Sequence, residues 1–154
     1  MTNFPMVFGA TSKQIRSGIG AQWISHRSPM ASESIKISIP PEFGGPGSGF
    51  SPEDLYAMAL GNCFAATFQV YAKNSRLSFS HLDIESAITI DLNEKKLPYI
   101  RQVSINARLH GVDNKDRAEK LLHKVSQNCI LINSVQADKA FQLQAVHIDA
   151  SEGC

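Results

Sequence analysis

Gly44-Gly45-Pro46-Gly47-Ser48-Gly49-Phe50-Ser51-Pro52-Glu53-Asp54, followed by Leu55-Tyr56-Ala57-Met58-Ala59-Leu60-Gly61-Asn62-Cys63-Phe64-Ala65-Ala66-Thr67-Phe68-Gln69-Val70-Tyr71, is the stretch that decides the fold. Ser51 is an N-cap residue, Pro52 suits the first helical position, where its missing N–H costs nothing, and Asp54 completes a capping box. The acids Glu53 and Asp54 favour the positive end of the helix. From Leu55 to Tyr71 the residues are apolar on nearly every face, the pattern of a central helix buried on all sides. Gly61, Asn62, Thr67 and Gln69 interrupt the run, which falls short of the roughly 18 to 20 unbroken apolar residues a membrane span needs.

Upstream of the glycine segment the pattern is strand-like. Phe4 to Ala10 and Ile19 to Ser25 read as two strands, and Ile35, Ile37 and Ile39 alternate with Lys36 and Ser38 as a third, stopped by Pro40-Pro41. Gly44 to Gly49 superficially resembles a phosphate loop, but it lacks the Gly-Lys-Ser/Thr ending and no βαβ unit surrounds it, so a nucleotide site is not expected. Downstream, Leu82 to Leu92 and Tyr99 to Leu109 alternate as a long hairpin, with a bulge expected near Ser86 and a turn over Asn93 to Pro98. A second helix starts near Lys115, capped by Asp113 or Asn114, with Ala118, Leu121, Leu122, Val125 and Cys129 as its apolar stripe. Ile130 to Ile132 reads as a short connection, Ser134 to Lys139 as one helical turn and Phe141 to Ile148 as a closing strand. The order βββ, α, ββ, α, β predicts an α+β fold with mostly antiparallel strands.

The chain has 154 residues, 43% hydrophobic and 19% charged, enough for the core of one domain over residues 1–154. Fifteen basic and fourteen acidic residues leave a net charge of +1, and no Lys/Arg stripe forms, so nucleic acid is excluded as an expected partner. Met1-Thr2-Asn3-Phe4-Pro5 carries neither the charged start nor the apolar stretch of a signal peptide, so a cytoplasmic protein with reduced thiols is expected, with no membrane attachment. His26, His81, His110, His123 and His147 show no ligand spacing, and no Cys-x-x-Cys pair exists; no metal and no cofactor is expected.

Cys63 lies mid-helix and Cys129 follows 66 residues later at the end of the second helix. Two thiols on two core helices are either a redox pair or small hydrophobes filling the core. Cys154, the last residue of a small polar tail, is expected to be inert.

The glycine segment through Ser51-Pro52-Glu53-Asp54-Leu55 and on to Asn62-Cys63-Phe64, with Cys129 and Asn133, resembles the OsmC/Ohr family of organic hydroperoxide reductases. The resemblance runs from about Ile35 to Ile148; where the family often has Cys-Pro, this chain has Cys129-Ile130. It implies an intertwined homodimer, with mostly antiparallel sheets wrapped around two central helices and active sites at the subunit interface. It also implies a thiol peroxidase, in which Cys63 attacks an organic hydroperoxide and Cys129 resolves the sulfenic acid to a disulfide. The reductant would be an external dithiol, of lipoyl type in the Ohr branch. The family's arginine matches Arg16, with Arg27 as the alternative, and its glutamate matches Glu53. Ten helical residues rise about 15 Å, so Glu53 does not reach Cys63 of its own helix and would act as an arginine partner across a dimer interface. The competing reading is a non-enzymatic member of the same fold, either a binder of a small apolar ligand or a redox sensor.

Overall fold

The computed structural model describes residues 5–16, 21–28 and 33–147. Cys154, the expected strand positions Phe4 and Ile19 and the strand end at Ile148 lie outside the described residues, as do the side chains of Ile15, Arg16 and Ser28. The chain forms two compact units, residues 1–55 and 56–154. Among the described residues they hold two three-stranded sheets and three α-helices, so the α+β expectation holds.

The first unit is an antiparallel sheet of β1 (Gly9–Arg16), β2 (Gln22–Ser28) and β3 (Ser34–Ser38) in that order. The first two strands start later than their hydrophobic residues suggest: Met6, Val7 and Phe8 are exposed ahead of β1. β1 instead uses Thr11, Ser12 and Lys13, which pair with His26, Ser25 and Ile24 through backbone hydrogen bonds that need no apolar side chain. β3 ends where the Pro40-Pro41 pair removes a donor, and Pro41–Phe43 form a 3-10 turn. The glycine segment then folds back on β3. Gly44 N–H donates to Pro41 O, Gly45 N–H to Pro40 O, Gly47 N–H to Ile39 O and Gly49 N–H to Ser38 Oγ. These four bonds tie the loop's glycine donors to β3 and the residues just after it.

α1 (Pro52–Ser75) starts as the sequence predicts: Ser51 N–H donates to Asp54 Oδ2 at 2.9 Å and Asp54 N–H to Ser51 Oγ at 3.0 Å. The expected burial on every face is corrected. Leu60, Gly61, Phe64, Phe68 and Ala72 are buried, a single stripe at 1, 3, 4 and 4 spacing, whereas Tyr56, Met58 and Val70 remain exposed. A single chain covers one face of the helix.

In the second unit β4 (His81–Leu92) pairs antiparallel with β5 (Pro98–Val112), and β5 pairs parallel with β6 (Asp138–His147). The hairpin turn is built on Asn93, whose side-chain oxygen accepts from Lys95 N–H and Leu97 N–H. The register shift falls between Thr89 and Ile90, not near Ser86; Ser86 stays in register with Ile105 and donates its hydroxyl to Ala57 O of α1 at 2.8 Å. A Cβ at Gly61 would stand 2.7 Å from Ser86 Oγ, so the absent side chain is what lets α1 lie this close to β4.

α2 (Lys115–Asn128) is capped by Asn114, whose side chain accepts from Arg117 N–H. Past it, Ile130–Ser134 form a short helix, α3, in place of the expected connection, and the turn expected over Ser134 to Lys139 is replaced by an early start of β6 at Asp138. One face of β5 (Val103, Ile105, Ala107, Leu109) packs with Leu60, Phe64 and Phe68 and with Leu122, Val125 and Cys129 in one core. Each large side chain buried there is worth roughly 1.5–3 kcal/mol.

Candidate functional site

Two sulfurs meet inside this core. Cys63 follows Leu60 by one helical turn on α1 and is half-buried at the edge of the stripe. Cys129 closes the α2 stripe: Ala118, Leu121, Leu122, Val125 and Cys129 are all buried, as their spacing predicts. The helix does not run through it. With φ −70° and ψ 119°, Cys129 is extended, its N–H still donating to Val125 O at 2.9 Å while its carbonyl accepts from Asn133 N–H at 2.9 Å to open α3. Capping two helices with one residue fixes the Cys129 backbone tightly. Its thiol donates to Cys63 Sγ at 3.0 Å.

Burial pushes the Cys129 thiol up from its ordinary value of 9.0, and its bond to Cys63 pushes it the same way; bonds from the Ile132 backbone and the Thr67 side chain act in the opposite direction. Cys129 is therefore a protonated thiol at neutral pH. Both cysteines are free, and a disulfide would require the sulfurs to close from 3.0 Å to a bond length of about 2.05 Å.

Thr67 is a contact that sequence reasoning missed. It interrupts the apolar run of α1, yet it lies four residues after Cys63, on the same helical face, and donates to Cys63 O at 2.8 Å. The four-residue spacing was the available signal. On another face of α1, Met58, Asn62 and Ala65, with Leu82 and Ile84 of β4, line a cleft of about 300 Å³ that neither cysteine lines. Phe64 and Phe68 are wholly buried core.

The structure brings together Cys63 and Cys129 out of the expected site residues. Glu53, in the first turn of α1, belongs to the first unit; its Oε2 is buried and has no hydrogen-bond partner among the described residues. Arg16 ends β1, its backbone paired with Gln22; its side chain is outside the described residues. Arg27 is exposed on β2, paired with Ala10. No helix among the described residues is long and apolar enough to cross a membrane.

Comparison with known proteins agrees with this fold. The model of the OsmC-like protein family matches residues 45–144. The uncharacterized protein YmaD of Bacillus subtilis (strain 168) is 28% identical over 114 residues, 71% of this chain and 75% of that protein. An organic hydroperoxide resistance protein-like protein of Staphylococcus aureus (strain USA300) is 24% identical over 117 residues, 75% of this chain and 83% of that protein. Among solved structures, an organic hydroperoxide resistance protein from Legionella pneumophila superimposes with a TM-score of 0.72 at 20% identity, over 93% of this chain and 98% of that one.

Proposed function

Since this chain belongs to the OsmC-like protein family, we propose that it is a cofactor-free thiol peroxidase that reduces organic hydroperoxides. The observation that carries this reading is the 3.0 Å approach of Cys129 Sγ to Cys63 Sγ inside the core. The Cys63 thiolate attacks the distal peroxide oxygen; an S–O bond forms, the O–O bond breaks, and the alkoxide leaves as the alcohol after taking a proton. The Cys129 thiol then attacks the sulfenic sulfur, an S–S bond forms and water leaves. An external dithiol, of which a lipoyl group is one form, returns both cysteines to thiols and leaves as its own disulfide.

The asymmetry between the two sulfurs supports these roles. Half-buried Cys63 is the one a substrate can reach, and protonated Cys129 aims its hydrogen at the sulfur that carries charge in the first step. Glu53 acts across the homodimer interface as partner of the arginine, Arg16 before Arg27, that serves a Cys63 thiolate, and its Oε2, without a hydrogen-bond partner among the described residues, is consistent with a guanidinium partner. The exposed Tyr56, Met58 and Val70 of α1 support a homodimer in which a second copy covers that face, and the family match, running across both units, supports one domain over 1–154. The staphylococcal relative named for organic hydroperoxide resistance favours this activity over a non-enzymatic binder or sensor.

Steady-state consumption of an organic hydroperoxide with dithiothreitol or dihydrolipoamide as donor tests the proposal. Saturable turnover with either dithiol is expected; peroxide decay no faster than in buffer with donor alone would overturn it.

A further inference from the structure

On the opposite face of the second sheet the hairpin register assembles a group that the sequence does not advertise. His81 and His110 are cross-strand partners on β4 and β5, and Asp83 follows His81 by two residues, so all three side chains stand on one face. That face is not the core face, because Leu82 and Ile84 of β4 and Leu109 of β5 alternate inward with them. The two imidazole rings stack with centroids 4.3 Å apart and planes within 6°. His110 Nε2 lies 3.2 Å from Asp83 Oδ2 and His81 Nε2 lies 3.7 Å from the same oxygen.

The geometry points to a divalent transition-metal site of the zinc type, made by His81, Asp83 and His110. One ligand atom from each lies within 4.8 Å of the other two. In a tetrahedral zinc site with bonds of about 2.0–2.1 Å, neighbouring ligand atoms stand about 3.3 Å apart, so no pair of the three need close by more than about 1.5 Å. Two imidazoles and one carboxylate are a borderline donor set that suits zinc and its neighbours over calcium or magnesium, and three protein ligands leave a fourth position for water.

Two further observations favour a bound ion over a simple ion pair. His110 Nε2 is buried and, although it lies 3.2 Å from Asp83 Oδ2, makes no hydrogen bond among the described residues. Arg108, which stands opposite Asp83 in the strand register and is the natural competitor for its charge, donates instead to Gln144 Oε1 at 3.1 Å. His110 is also held in place. Gly111 turns at φ +64°, where a Cβ would collide with Ser80, and Ser80 N–H donates to His110 O at 2.8 Å. A metal here clasps the start of β4 to the end of β5, far along the hairpin from its turn.

The test is titration of the reduced full-length chain with Zn²⁺ by calorimetry, and with Co²⁺ as a spectroscopic probe. One ion per chain is expected, with the weak visible bands of nitrogen and oxygen ligation and no thiolate-to-cobalt charge-transfer band. His81→Ala and Asp83→Asn, both at exposed side chains, should retain the fold and weaken binding about tenfold or more. At the same concentration Zn²⁺ should raise the melting temperature of the parent chain more than that of His81→Ala. Absence of saturable binding, a thiolate band that assigns the ion to the cysteines, or equal affinity in His81→Ala would each overturn the site.

Discussion

The two helices that carry the sulfurs are built on different plans. α2 is amphipathic, with one buried stripe of Ala118, Leu121, Leu122 and Val125 that ends at Cys129. α1 is apolar on nearly every face yet buries only one, leaving Tyr56, Met58 and Val70 exposed and Cys63 half-buried at the border. The difference separates two kinds of thiol. Cys129 is locked between two helices and kept protonated by burial, whereas Cys63 stands where the interior meets an open surface. A nucleophile needs access, and the thiol that resolves it needs a fixed position.

The largest expected effect follows from that division. Cys63→Ser should reduce hydroperoxide consumption to the uncatalysed rate, while Cys129→Ser should complete a single oxidation per chain and then stall, as single-turnover and steady-state assays would read. Equal residual cycling in the two variants would erase the distinction between the sulfurs.

The helix faces can be broken separately. Phe68→Ala, in the wholly buried stripe, should cost about 3–5 kcal/mol in denaturant unfolding. Val70→Ala, on the exposed face, should stay within about 0.5 kcal/mol if nothing covers it. Val70→Asp sharpens the point: if a second copy covers this face, light scattering should show the dimer weakened, and an unchanged dimer would place the interface elsewhere. Gly61→Val should cost about 1–3 kcal/mol, because its side chain drives α1 off Ser86.

A smaller effect comes from the raised Cys129 thiol. Its folded-state value lies above that of the unfolded chain, so above the ordinary value of 9.0 the folded state holds the extra proton. The associated stability is complete below that pH and is lost as pH rises through the folded value. Melting curves from pH 8 to 11 should fall more steeply for the parent chain than for Cys129→Ala; parallel curves would show that the thiol does not titrate as its burial requires.

Much of this was legible in the sequence, where local chemistry decides. The capping box at Ser51 and Asp54, the stripe that ends at Cys129, and the Asn93 turn are written in neighbours no more than four residues apart. β1 was misplaced because Met6, Val7 and Phe8 look like a strand while the pairing uses polar residues further on. The meeting of His81, Asp83 and His110 was illegible for a different reason: 29 residues separate the histidines, and only the hairpin register sets them face to face. The resemblance to a family led to Cys63 and Cys129; the distance between their sulfurs needed the fold.

The central claim is that one hydroperoxide couples these two sulfurs. The most direct measurement adds one equivalent of an organic hydroperoxide to the reduced chain, counts free thiols and maps peptides by mass spectrometry. The expected result is a fall from three thiols to one, with a Cys63–Cys129 disulfide peptide and Cys154 unmodified. Three thiols persisting, or oxidation confined to Cys154, would contradict it.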